Sequence, residues 1–211
     1  MTENKKVRIV MIAGLSGSGK TQLIYSLLKN INTDHIGIIV NNVQSEKELK
    51  KICNIIDNFP VKTPCARPRQ YRYRIEKMLD ENDLDLIITE PPGFCSETSA
   101  PVLNPLIIFK KDSIDVGPLI TIVDYISIPT EGISKNITDG LKLFNLIFES
   151  DCIVIRKNGS LSKEQKEQTS FEITQINPDA KILFISSTDN NIKLISDKIF
   201  SDEKYLRPLV N

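Results

Sequence analysis

No run of about 18 apolar residues occurs in the 211-residue sequence, so a membrane-spanning helix is not expected. An excess of one charge is lacking as well. The 27 lysines and arginines are offset by 27 aspartates and glutamates, which argues against a generally cationic nucleic-acid binder. Cysteines are few: Cys53, Cys65, Cys95 and Cys152 make no disulfide scaffold in a chain of this length, leaving reduced core thiols or a metal site built from some of them. Histidine is scarcer still, with His35 alone. Met1 to Lys6 run into an apolar stretch with no small-residue cleavage signature, so a cytoplasmic protein without a leader peptide is expected. The 11 prolines and 9 glycines are spread out and form no linker or low-complexity tract. One soluble domain over residues 1–211 is the expectation.

What is present is a rhythm of short Ile/Val-rich runs alternating with helix-period segments. The runs are Val7–Ala13, Ile36–Val40, Leu84–Thr89, Leu119–Val123, Cys152–Ile155 and Lys181–Ile185. Continuous apolar runs of this kind suit strands buried on both faces of a parallel sheet. Helical spacing recurs at Leu23, Leu27 and Leu28, at Leu49, Ile52, Cys53 and Ile56 within 46–57, and at Ile137, Leu141, Phe144 and Phe148, with a last helix near Ile192–Phe200. The expected fold is α/β, a three-layer αβα sandwich with a mostly parallel sheet. Phe59–Gln70 and Pro91–Asn104 are the least regular stretches, where chemistry tends to collect on a rigid scaffold.

Gly14-Leu15-Ser16-Gly17-Ser18-Gly19-Lys20-Thr21 matches G-x-x-x-x-G-K-[S/T] in full, between an expected strand and an expected helix. Small residues let the backbone N–H groups of Gly14, Ser16, Gly17, Ser18 and Gly19 curl around a β-phosphate, while the helix start presents its positive end to the anion. Lys20 can span the β- and γ-phosphates and Thr21 can ligate Mg²⁺. Further on, Glu90-Pro91-Pro92-Gly93 closes another apolar run. A carboxylate there can hold the Mg²⁺ shell or position water, and Gly93 can bring its N–H to the γ-phosphate.

With these motifs the chain resembles the CobW/HypB/UreG family of P-loop GTPases, whose members help insert nickel, cobalt or zinc into metalloenzymes and cofactors. The resemblance also draws on Ile38-Ile39-Val40-Asn41-Asn42, on Thr121-Ile122-Val123-Asp124, and on Asn177-Pro178-Asp179-Ala180-Lys181-Ile182 followed by Ser186-Ser187. It implies GTP and Mg²⁺ as ligands, with Lys20, Glu90 and Asn42 in catalytic positions and Lys157 and Ser187 on the base side. It also implies a nucleotide-dependent homodimer, a client metalloenzyme or cofactor-assembly protein as partner, and neither membrane nor nucleic acid. The length is close to that of the compact HypB and UreG proteins, so the extra C-terminal domain of CobW-type members is not expected. The family's metal-binding cysteine is matched by Cys65, and Cys95 follows the E-x-x-G motif much as a cysteine does in HypB-type members. Soft thiolates would favour Zn²⁺, Cu(I), Ni²⁺ or an iron–sulfur cluster over Mg²⁺, and the resemblance implies Ni²⁺, Zn²⁺ or Co²⁺. A dimer that apposed the loops would supply four thiolates.

Three departures qualify the pattern. Beside Cys65 the family's Cys-His or Cys-x-Cys-Cys ligands are replaced by Ala66 and Arg67. Where the family reads guanine with N-K-x-D, this chain has Arg156-Lys157-Asn158-Gly159, so the discriminating carboxylate is missing and ATP becomes an alternative. Asn42 stands where HypB- and UreG-like proteins carry an aspartate; a neutral amide is no base, and slow hydrolysis follows. Two other functions fit these residues, an ATP-dependent small-molecule kinase and a non-catalytic nucleotide-gated adaptor. Arg67, Arg69, Arg72 and Arg74, interleaved with Tyr71 and Tyr73, read as a solvated helix face, and Asp124 either caps a turn or supports the base-side loop.

Overall fold

The computed structural model describes residues 5–31, 33–60, 67–93, 95, 99–109, 112–125, 137–157, 159, 161–186 and 192–201. Seven strands, β1 (Val7–Ala13), β2 (Ile36–Val40), β3 (Ile55–Asn58), β4 (Leu86–Thr89), β5 (Ile114–Asp124), β6 (Cys152–Lys157) and β7 (Lys181–Ser186), form one sheet in the order 3-2-4-1-5-6-7. Every neighbouring pair is parallel. The helices are α1 (Lys20–Leu28), α2 (Val43–Leu49), α3 (Pro68–Glu81), α4 (Asn104–Phe109), entered through a π turn at Ser99–Leu103, α5 (Ile137–Glu149), α6 (Lys163–Ile176) and α7 (Ile192–Ile199). None of the described helices is long and apolar enough to cross a membrane.

Alternate residues of a strand point to opposite faces, so an uninterrupted apolar strand must be covered twice. On one face Val10, Ile12, Ile38 and Val40 meet Leu23, Ile24 and Leu27 of α1 and Ile195 of α7. On the other, Ile9, Met11, Ile39 and Ile87 meet Tyr71, Ile75 and Met78 of α3. This is the expected three-layer sandwich. Each such buried aliphatic side chain contributes roughly 1.5–3 kcal/mol of transfer free energy.

Helical periodicity misleads at two places. Residues 46–57 are not one helix: α2 ends at Leu49, and the β-branched pair Ile55-Ile56 opens β3, which pairs with β2. Leu49 and Cys53 are buried as expected, Cys53 Sγ donating to Ile36 O at 3.3 Å, but Ile52 is exposed. In α5 two stripes have helical spacing, and the buried one is Leu143, Leu146 and Ile147, whereas Leu141, Phe144 and Phe148 face solvent. The arginine-rich segment is a helix, α3, but not a wholly solvated one. Tyr71 is fully buried against Phe59, Arg72 Nη1 donates to Pro101 O at 2.7 Å, and Arg74 pairs with Asp57 at 2.9 Å.

Candidate nucleotide-binding site

The strand order determines what can meet at the P-loop. β1 lies between β4 and β5, and β2 lies beside β4, so the C-terminal ends of β1, β2 and β4 deliver Gly14–Thr21, Asn41–Asn42 and Glu90–Gly93 to one edge. In a parallel α/β sheet that edge is where ligands bind. A cleft of about 820 Å³ opens there, walled by the P-loop, the start of α2, Glu90–Gly93 and Arg156.

Lys20, the first residue of α1, is nearly buried, and its ammonium donates to the carbonyls of Gly14 and Leu15, each at 3.0 Å. Burial holds its pKa below the ordinary lysine value, with the Glu90 carboxylate working in the opposite direction. Thr21 Oγ1 donates to Glu90 at 2.9 Å (Oε1) and lies 2.8 Å from Ser45 Oγ, which itself lies 3.3 Å from Glu90 Oε1. Glu90 is only 4% exposed, and burial pushes its pKa above the usual carboxylate value against the pull of Thr21 and Lys20. Two hydroxyls and a carboxylate within reach of one another are the hard oxygen donors that suit a small divalent cation.

Asn42 is the N-cap of α2: its Oδ1 accepts the Ser45 N–H at 2.8 Å, and its Nδ2 donates to Ser45 Oγ at 2.9 Å. Asn42 thus lines the cleft itself and orients the more deeply buried Ser45. The sequence signal for Ser45 was the spacing from a capping asparagine to the third helical position, which alone does not reveal the nonlocal contact with Glu90.

Glycine is required at position 93 by proximity. A Cβ there would collide with the Ser16 amide nitrogen and would stand 2.8 Å from the Leu15 carbonyl carbon. The E-x-x-G segment thus lies directly on the P-loop. Two residues later Cys95 donates its N–H to Pro92 O at 2.9 Å, and its side chain is buried, 1% exposed. Cys65 and Ser187 lie outside the described residues. Among the described residues no three His, Cys, Asp or Glu side chains gather into a metal-binding group.

At the end of β6, Lys157 donates to Gln165 Oε1 at 3.3 Å, and its ammonium stands 4.9 Å from the centroid of the Tyr125 ring. Gln165 also closes the capping box that starts α6 with Ser162. Asp124, at the end of β5, accepts from Arg156 Nη2 at 3.0 Å. The pair spans the β5–β6 register, and Arg156 is a cleft residue that no local motif announces.

The profile of the CobW/HypB/UreG nucleotide-binding domain matches residues 8–184. No curated protein sequence matches the chain. Solved structures similar in fold include the hydrogenase maturation factor HypB from Archaeoglobus fulgidus, at 20% identity over 90% of this chain and 87% of that one, with a TM-score of 0.61. HypB from Helicobacter pylori, solved in complex with nickel, matches at 14% identity over 95% and 93%, TM-score 0.62. The Zn(II)-bound YjiA GTPase from E. coli matches at 13% identity over 98% of this chain and 66% of that one, TM-score 0.61. With a P-loop, an E-x-x-G segment packed on it and the family profile spanning most of its length, the chain belongs to the CobW/HypB/UreG family of P-loop GTPases.

Proposed function

We propose that residues 1–211 act as one cytoplasmic nucleotide-binding domain that takes Mg²⁺ and a nucleoside triphosphate, GTP by family, at Gly14–Thr21 and hydrolyses it slowly. The observation that carries this reading is the convergence of Lys20, Thr21, Ser45 and Glu90 at one end of the cleft. Thr21 and Glu90, with Ser45 beside them, would hold Mg²⁺, which supplies charge neutralisation for the transferring phosphoryl group. Lys20 has three N–H donors and spends two on loop carbonyls, leaving one for a phosphate oxygen before any rearrangement. Backbone N–H groups of Ser16 to Gly19 complete the anion cradle. The buried Ser18 hydroxyl, which has no partner among the described residues, adds a donor at the loop.

Slow turnover follows from Asn42. Its amide has no basic lone pair to offer a water and is already engaged by Ser45. The switch would then be read through Gly93, the point at which the E-x-x-G segment touches the loop that holds the phosphates. Because Cys95 is bonded into the same turn, a shift of Gly93 on triphosphate binding would alter the exposure of the Cys95 thiol. In this reading Cys95, and Cys65 in a second loop, hand a soft metal such as Ni²⁺, Zn²⁺ or Co²⁺ to a client metalloenzyme or cofactor-assembly protein from a nucleotide-dependent homodimer. The same Asn42 observation favours a second reading, an adaptor that binds nucleotide without turning it over.

Calorimetric titration with GTP and ATP in the presence of Mg²⁺ tests the first step. Lys20→Ala should lose about tenfold or more in triphosphate affinity, and unchanged affinity would refute the site. Single-turnover hydrolysis separates the switch from the adaptor. Ni²⁺ and Zn²⁺ binding by the Cys65→Ala/Cys95→Ala variant tests the thiols, and wild-type stoichiometry in that variant would remove them from the proposal.

A further inference from the structure

We infer that Arg156 is a built-in cationic contact for the phosphates of the bound nucleotide, and that this chain recognises the polyphosphate rather than the base. The inference rests on the triphosphate reading of the P-loop. Arg156 sits near the end of β6, in register with Asp124 of β5, and lines the same cleft as Lys20, Thr21 and Glu90. Its guanidinium lies over the P-loop. A Cβ on Gly19 would meet Nη1 at 2.8 Å and Cζ at 2.9 Å, so the guanidinium stands directly against the backbone of the loop. Nη2 is held by Asp124, while Nε is buried and has no hydrogen-bond partner among the described residues. An anchored guanidinium with an unused buried N–H, set against the residue that precedes Lys20, has the planar fork that binds phosphate oxygens in pairs.

Position 159, three residues further along the chain, supports the same conclusion. Gly159 occupies the position from which a carboxylate would read guanine, and its φ of +95° is one that side-chain-bearing residues rarely adopt. The backbone at position 159 suits glycine and not an aspartate. A site that hydrogen-bonds a substrate group rejects an analogue lacking it by about 10⁴-fold or more, and that rejection is lost with the reader. Phosphates are common to ATP and GTP. A site that gains a cation at the phosphates and lacks the carboxylate at the base should bind both.

Competitive displacement of a fluorescent GTP analogue by GTP and by ATP, with Mg²⁺, tests this on the wild-type chain and on Arg156→Gln and Arg156→Lys. Wild-type affinities for GTP and ATP are expected within about tenfold of each other. Arg156→Gln should weaken both by about tenfold or more in equal measure, and Arg156→Lys, which keeps the charge without the fork, should recover part of the loss. Each variant is checked by its thermal transition, and where Arg156→Gln does not fold, Arg156→Lys alone decides. Affinities within about twofold of wild type, well under the tenfold step of a lost charge contact, would reduce Arg156 to a structural pin between β5 and β6. A loss confined to GTP would make it a base reader and overturn the inference. Absence of any nucleotide binding by the wild-type chain would instead remove the triphosphate reading itself, a result distinct from normal wild-type binding with an indifferent Arg156.

Discussion

Gly93 rests on Ser16 so closely that the smallest side chain would collide with the backbone of the phosphate-binding loop. Two loops from different strand ends are thereby made one mechanical unit. Gly93→Ala must push them apart, and overpacking of this kind costs about 1–3 kcal/mol. The expected outcome is a lowered thermal transition together with weaker triphosphate binding. A variant that keeps both would show that the contact yields without consequence.

The Glu90 carboxylate gives a pH dependence of defined sign. Burial raises its pKa in the folded state, so what it contributes to the stability of the ligand-free protein is present below the pKa of an exposed glutamate and is lost as pH rises through its own raised value. Glu90→Gln should therefore stabilise the ligand-free protein at neutral and higher pH, by about 1 kcal/mol. Mg²⁺-dependent triphosphate binding needs the ionised form, so in the wild type it should fall away on acidification at a higher pH than an ordinary glutamate would dictate. Denaturation and nucleotide titrations at several pH values check both trends. An acid limb that survives in Glu90→Gln would assign the titration to another group.

Thiol reactivity should separate the cysteines. Cys53, Cys95 and Cys152 are buried, and burial raises the Cys53 thiol and pushes Cys152 up to about 12. Because the thiolate is the reactive form, a Cys65→Ala variant should show no thiol that reacts rapidly with Ellman's reagent until it is unfolded. Should one thiol of that variant become reactive on addition of nucleotide, the Cys65→Ala/Cys95→Ala variant identifies it: the signal disappears there if Cys95 is the source and persists if it is not.

The two stripes of α5 can be told apart by stability. Ile147→Ala should cost about 2–5 kcal/mol as a core truncation, whereas Phe148→Ser, on the exposed side, should stay within about 0.5 kcal/mol apart from its stacking on Phe144. Urea denaturation compares them. Equal costs would place the wrong face against the sheet.

Much of the site was legible because its chemistry is local: the P-loop and Glu90–Gly93 are contiguous motifs at the ends of apolar strands. Less was legible wherever two readings shared one period. In α5 both stripes are spaced for a helix, and burial chose the one that meets Val123 and Ile153. At 46–57 the helical spacing of Cys53 and Ile56 continued past the end of α2, and pairing with β2 overrode it. Ser45 and Arg156 entered the site only through contacts distant in sequence, with Glu90 and with Gly19. No window of residues contains both partners.

Strand β1 carries the phosphate-binding loop, yet its hydrogen-bonding neighbours are β4 and β5, each reached only after a long excursion of the chain. During synthesis the most recognisable motif is made before either of its walls. Parallel pairing over such separations is slow to form because loop closure precedes any gain from contact. Until Asp124 has been made, β1 lacks full cover on one flank, and its apolar length is an exposed template for unwanted pairing. A ligand that bridges the P-loop and Glu90 would close that interval, so nucleotide supplied during refolding should act as a folding aid as well as a switch.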